Sequence, residues 1–399
     1  MPGLAIAISL VLMIGCGSKE NGSSVTGDTK PPTGDSGGST STGGTGSYAA
    51  RDPRPGGNYL DLNSFPQGDI VSGGVGKDQI PSLNQPRFVD QDSPEAFYIR
   101  PDDLVLGVVI NGEAKAYPHN IGWHHEIIND EVGGHRIVVS LCPLTGTGMV
   151  FDGQPESGDL VAMGVSGLLF NNNLIMYSKV DDNSLFPQMT GRAISGPQKG
   201  KSLELLPVIE TTWDYWRMLY PESKVVSGFT GIYDAGQYTN YPYMSQGDYR
   251  YESNYILFPM APSPTVTQYF GLKQITLGVR FGEIAKAYPF PAMGKEAVIN
   301  DEVAGTKLVV VFYELHKLAI PYARALTVDG ESLTLTFDKI ESDDRVYPFL
   351  MKDRETASTW NLKGEGIRGP LLGHKLTQIP AHNAFWFAWT TFWRNTGIY

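Results

Sequence analysis

Apolar residues alternate with polar ones, or run in short blocks, along most of the chain beyond residue 70, as in half-buried strands. The block LVLGVVINGEAKAYP, residues 104–118, sets Asn111-Gly112 between two β-prone runs. Asn-Gly in that setting is the strongest short-range hairpin signal, because both turn residues need positive φ. HHEIINDEVGGHRIVVSLC, residues 124–142, reads as a second hairpin turning at Asp130–Gly134, and DLVAMGVSGLLF and NLIMYSKV continue the pattern. Helical spacing is clear in two places, TTWDYWRMLYP from Thr211 and NAFWFAWTTFWRNT from Asn383. Thr or Asn offers an N-cap to each, and a Trp pair three residues apart marks one buried face. Aromatics at that spacing are read as core anchors.

The chain also resembles itself. GEAKAYP (residues 112–118) returns as GEIAKAYP (282–289), and IINDEVGG returns as VINDEVAG with Asn129 opposite Asn300, a shift of 171. Gly191, Gly196, Pro197, Gly200, Leu203 and Pro207 return as Gly364, Gly369, Pro370, Gly373, Leu376 and Pro380, a shift of 173. Trp213 and Trp216 return as Trp386 and Trp389 at the same shift of 173. A register held over so many positions points to a duplicated unit. The expected fold class is β-rich α+β: a tandem duplication of a mainly antiparallel β unit, residues 58–228 and 229–399, each copy closed by a short Trp-containing helix. The copies are expected to pack through those helices and through the Tyr-rich bridge Tyr233–Tyr255.

Ahead of this block the pattern changes. Leu4–Ile14 is an apolar run too short to span a bilayer but suited to the core of a signal peptide. It ends in Met13-Ile14-Gly15-Cys16, which resembles a bacterial lipobox, so residues 1–16 read as a lipoprotein signal and Cys16 as the lipidated residue. Residues 17–57, rich in Gly, Ser, Thr and Pro, have little to bury and read as a disordered tether. The expected location is the cell envelope, periplasmic or cell-surface side, with the membrane as partner through the N-terminal lipid. A net charge of −11 argues against nucleic acid as a partner. With Cys16 committed to lipid, Cys142 is left without a disulfide partner, in a compartment that oxidises idle thiols.

The duplicate indicates where chemistry resides. At the shift of 171, His124 falls opposite Lys295, His125 opposite Glu296, Cys142 opposite Tyr313 and Thr145 opposite His316. The turns persist while Cys and His do not, so the first copy is expected to be the active half. DQIPSLNQPRF, INGEAKAYP, WHHEIINDEVGG, CPLTGTGMVFD, GVSGLLFNNNLIMY and GPQKGKSLELLP together resemble the secreted prokaryotic family catalogued as domain of unknown function 3179, from about Asp78 to Gly228. The resemblance sets His125 and Cys142 on the family's His and first Cys, with Thr145 in place of its second Cys. One sulfur cannot close a ring, which removes a dithiol–disulfide cycle. The resemblance implies no activity.

Three readings of this constellation compete. Cys142 and His125 can be buried core residues. They can be thiolate and imidazole ligands of copper or another soft transition metal, with His124, Met149 and Met176 as further candidate ligands. Cys142 can instead be a nucleophile activated by His125, with amides of the Thr145–Gly148 turn as an oxyanion hole. The metal reading leads, and a sugar- or peptide-binding face on the Tyr-rich bridge is a further alternative. His124 and His125 are placed on the strand entering the hairpin, about three residues out of register with Cys142, roughly 10 Å along the strand. Gly146 and Gly148 suggest a solvent-reachable pocket beside Cys142. Lys317 and Ala319 suggest an ordinary, filled loop and no pocket beside Tyr313.

Overall fold

The computed structural model describes residues 50–54, 57–63, 65–239, 255–260 and 269–399. The signal, Cys16 and most of the tether lie outside these, as does most of the Tyr-rich bridge. Residues 50–399 form one compact unit. It is β-rich, with four short α-helices among the described residues, His119–His125, Trp213–Leu219, Phe290–Met293 and Trp386–Phe392.

The Asn-Gly hairpin forms as expected. Leu104–Ile110 pairs antiparallel with Glu113–Pro118, Ile110 opposite Glu113, and Asn111 and Gly112 both have positive φ, 50° and 82°. Ile209–Thr212 adds to the outer side of this hairpin, and Lys224–Val226 and Phe88–Asp90 extend the other. In the second half, Ala381–Phe385, Ile275–Phe281, Ile284–Pro289 and Gly397–Ile398 lie in the corresponding order. A second sheet holds Ile127–Val132, His135–Cys142 and Thr147–Asp152, flanked by Leu205–Leu206 and Leu83–Asn84. Its counterpart is Glu296–Val303, Thr306–Tyr313 and Leu318–Ala323.

Both Trp-bearing helices form, but each starts later than its sequence signal. Thr212 is the N-cap residue of Trp213–Leu219 and Phe385 that of Trp386–Phe392, and neither side chain caps. Thr211 and Asn383 lie in the strands ahead, because the sheet hydrogen bonds of Ile209–Thr212 and Ala381–Phe385 hold the chain extended up to the helix. Trp216 is fully buried against Gly107, where a Cβ would sit 1.9 Å from the ring. Trp389 sits on Gly278 with the same 1.9 Å approach. Trp216 Nε1 donates to Ser223 Oγ at 2.9 Å, and Trp389 Nε1 to Thr396 Oγ1 at 2.9 Å. Trp213 and Trp386 are buried as well, so all four are packing residues.

Contacts cross between the halves in both directions. Phe385 N donates to Thr145 O at 2.8 Å, and Thr211 Oγ1 donates to His316 O at 2.7 Å. His316 stacks on Tyr215 with ring centroids 4.4 Å apart. The largest apolar core draws Trp216, Tyr117 and Val139 from one half and Val311, Trp360 and Leu362 from the other.

Candidate functional site

The segment entering the second hairpin departs from its expected form. Residues 119–125 are helical, so His124 and His125 end a helix rather than lie on a strand. The hairpin turns at Gly133-Gly134, with Val132 opposite His135 and Ile127 opposite Ser140. Continuing that register by two residues on each strand would set His125 opposite Cys142. In the second half the strand does continue, with Glu296 opposite Tyr313. In the first half Glu126 interrupts it.

Glu126 is the residue that sequence reasoning passed over. Its φ of 57° and ψ of −37° turn the chain from helix into strand, while its N–H donates to Gly122 O and its carbonyl accepts from Leu141 N, both at 2.8 Å. The second half makes the equivalent turn at Gly294, φ 78°, and has Ala297 at the Glu126 position. Glycine adopts such angles freely, whereas a side chain there costs of order 1 kcal/mol or more. Glu126 lines a cavity of about 10 Å³ together with Leu106, Tyr117, Pro118, Gly122, Ile128, Val139 and Leu141. That is room for about one water. Burial in this apolar setting raises its carboxyl to about 7.

Cys142 ends the strand beside Leu141 and is 1% exposed. Its thiol donates to Asn172 O at 3.5 Å. Burial, and next the nearby Glu126 charge, push the thiol up to about 11, so it is held protonated. The turn that follows is tied down by amides: Asn173 Nδ2 donates to Thr145 Oγ1 at 3.0 Å and to Gln188 Oε1 at 2.7 Å. Gln188 Nε2 in turn donates to Ser140 O and Thr147 O, each at 3.1 Å. The two glycines serve close packing. A Cβ on Gly146 would meet the Phe385 ring at 2.8 Å, and one on Gly148 would meet Leu106 at 2.3 Å. Cys142 is thus closed off from solvent rather than open as expected, and Phe385 from the second half packs on Gly146 of the turn.

His125 is fully buried and both ring nitrogens are engaged. Nδ1 lies 2.7 Å from Pro81 O, which only accepts, so Nδ1 carries the proton. Nε2, 2.7 Å from the Tyr238 hydroxyl, then accepts from it, and Thr230 Oγ1 is in turn 2.7 Å from that hydroxyl. Burial lowers His125 to about 4, which matches a neutral ring. His124 is also lowered to about 4 by burial, with its ring 5.4 Å from that of Tyr238 and 6.0 Å from that of Tyr233. A copper ion held by Cys142 and His125 would require His125 to give up one of its two partners. Met149 and Met176 are fully buried on two other strands, opposite Ser140 and Val165. No group of three His, Cys, Asp or Glu side chains that could hold a metal stands together among the described residues.

The loop that replaces Cys142–Gly146 in the second half also differs from expectation. Lys317 keeps the left-handed conformation of Gly146, φ 55° against 58°. Beside it lies a cavity of about 360 Å³ lined in part by Glu314 and Lys317. No curated protein and no solved structure matches the chain. A family model does, over residues 77–396, well beyond the Asp78–Gly228 stretch of the expected likeness and across both halves. The chain belongs to the family described as protein of unknown function DUF3179.

Proposed function

We propose that the protein is a lipid-anchored envelope protein built as a tandem duplication, whose first repeat carries a thiol–carboxyl centre of Cys142 and Glu126. The observation that carries the site is Glu126: one residue combines an unfavourable backbone conformation with a carboxyl in an apolar cavity, and the second repeat uses Gly294 and Ala297 there. Strain and desolvation on the same ionisable side chain are typical of functional positions. The duplication is supported by the matched Trp216–Gly107 and Trp389–Gly278 contacts, and Trp-helix closure of each repeat by the burial of those rings.

The chemistry this pair suits is single-sulfur acyl transfer. The Cys142 sulfur adds to an acyl carbon while its proton passes to the Glu126 carboxylate, directly or through one water of the size the cavity holds. Glu126 then returns the proton to the departing group. A carboxyl near 7 is well matched to that exchange at neutral pH, and it takes the role first assigned to His125, whose lone pair is occupied by Tyr238. Access requires the turn to part from Phe385.

The test is the pH dependence of Cys142 modification by a small neutral thiol reagent on the native protein. The wild-type rate is expected to show an inflection near 7 that Glu126→Gln abolishes. Identical profiles, or labelling only after unfolding, would return Cys142 to the role of a core residue. The anchor has its own test: a labelled fatty acid fed to a bacterial host is expected to enter the wild-type chain and to be absent from Cys16→Ser. Equal labelling would remove the anchor from this account.

A further inference from the structure

We infer, resting on Cys142 as a working thiol, that residues 255–260 form a strap that shuts its site and that the Asn172 side chain is the latch holding the strap. Asn171 and Asn172 are the two turn residues between strands Met163–Phe170 and Asn173–Ser178, at φ 49° and 64°. The tip of a two-residue hairpin turn ordinarily faces solvent, where water can satisfy its backbone groups. Here Asn171 is only 3% exposed and Asn172 0%. The matching hairpin of the second half pairs Phe337–Glu341 with Phe349–Asp353, and its turn through residues 342–348 leaves Asp343 and Asp344 exposed.

The strap lies against the buried tip. Asn172 Nδ2 donates to Phe258 O, and Asn172 Oδ1 accepts from Phe258 N, each at 2.8 Å. One amide side chain thus satisfies both backbone groups of a residue 86 positions away. The carbonyl of the same Asn172 accepts the Cys142 thiol at 3.5 Å. Asn172 therefore holds the strap through its side chain and the sulfur through its backbone. Lifting the strap admits water to both halves of the latch, so opening orphans no polar group. None of residues 255–260 is fully buried, so the strap gives up less apolar surface on opening than a core strand would. With the strap lifted, the tip loses its cover and Asn172 can move off the sulfur.

The test is the rate at which a small neutral thiol reagent labels Cys142 in the full-length native protein, followed through neutral pH in wild type and in Asn172→Gly. Glycine keeps the positive φ, and Asn-Gly is the pair such a turn favours, so the hairpin stays formed while the latch is lost. Labelling is expected to rise at least about tenfold, equivalent to about 1.4 kcal/mol, with the near-UV circular dichroism unchanged. Phe258→Pro removes the N–H that Asn172 accepts and should shift the rate in the same direction. Equal rates in wild type and Asn172→Gly, or a rise that comes with loss of the native near-UV spectrum, would overturn the strap. The Glu126 pairing is read separately, from the inflection near 7. A tenfold rise without that inflection would support the strap and remove the pairing, and an inflection with equal rates would do the reverse.

Discussion

Gly107→Ala is expected to destabilise the fold by about 3 kcal/mol or more, at the upper end of what overpacking a core costs. The added methyl would sit 1.9 Å from Cζ3 and 2.3 Å from Cη2 of Trp216. The ring cannot withdraw, because it is fully buried and its Nε1 is bonded to Ser223. Gly278→Ala should behave alike, with the Trp389 ring in the same place. Gly68→Ala is the control: nothing lies within 4 Å of its added Cβ and its φ is ordinary, so the change should be within about 0.5 kcal/mol of neutral. Urea-unfolding midpoints of the three variants check this. Comparable midpoints for Gly68→Ala and Gly107→Ala would show that the Trp helices do not hold their sheets.

The second large effect concerns pH. Burial raises the Glu126 carboxyl from an ordinary 4.5 to about 7. The folded state thus holds this proton more tightly than the unfolded chain does. Stability tied to Glu126 is complete below 4.5 and is lost as pH rises towards 7, where the folded state must ionise a desolvated carboxyl. The full shift corresponds to about 3 kcal/mol, and the residual solvent contact of Glu126 brings the expected loss nearer to about 2. His124 and His125, lowered by burial to about 4, act in the opposite sense, because their neutral folded forms gain stability as pH rises through the ordinary 6.5. The comparison is therefore between wild type and Glu126→Gln, in which the histidine contributions cancel. Unfolding free energies of the two proteins are expected to diverge in favour of Glu126→Gln between pH 4.5 and 7. Parallel curves would place the Glu126 carboxyl in ordinary solvent.

Much of the scaffold was legible because it depends on local rules. Asn111-Gly112 could only be a tight turn, and the Trp spacing at 213 and 216 could only be a buried helical face. The helix at 119–125 was not legible, because two turns are too short for periodicity to show. Its end, moreover, is set by a glutamate in a conformation that sequence assigns to glycine. The glycines that flank the lone thiol suggest an open site. Those glycines answer to Phe385 and Leu106, partners far away in sequence or on the neighbouring sheet. Glu126 itself stands in WHHEIIND, four residues before the turn read at Asp130–Gly134. At the shift of 171 Glu126 falls opposite Ala297, a contrast as plain in the sequence as that of Cys142 with Tyr313.

The central claim is that Glu126 exchanges a proton near neutral pH beside Cys142. Carbon-13 NMR of glutamate side-chain carboxyls, with the Glu126 resonance identified by its loss in Glu126→Gln, reads that proton directly. The account predicts a titration midpoint near 7 for Glu126. A midpoint at the ordinary 4.5 would contradict it, and with it the assignment of Cys142 and Glu126 as a working pair.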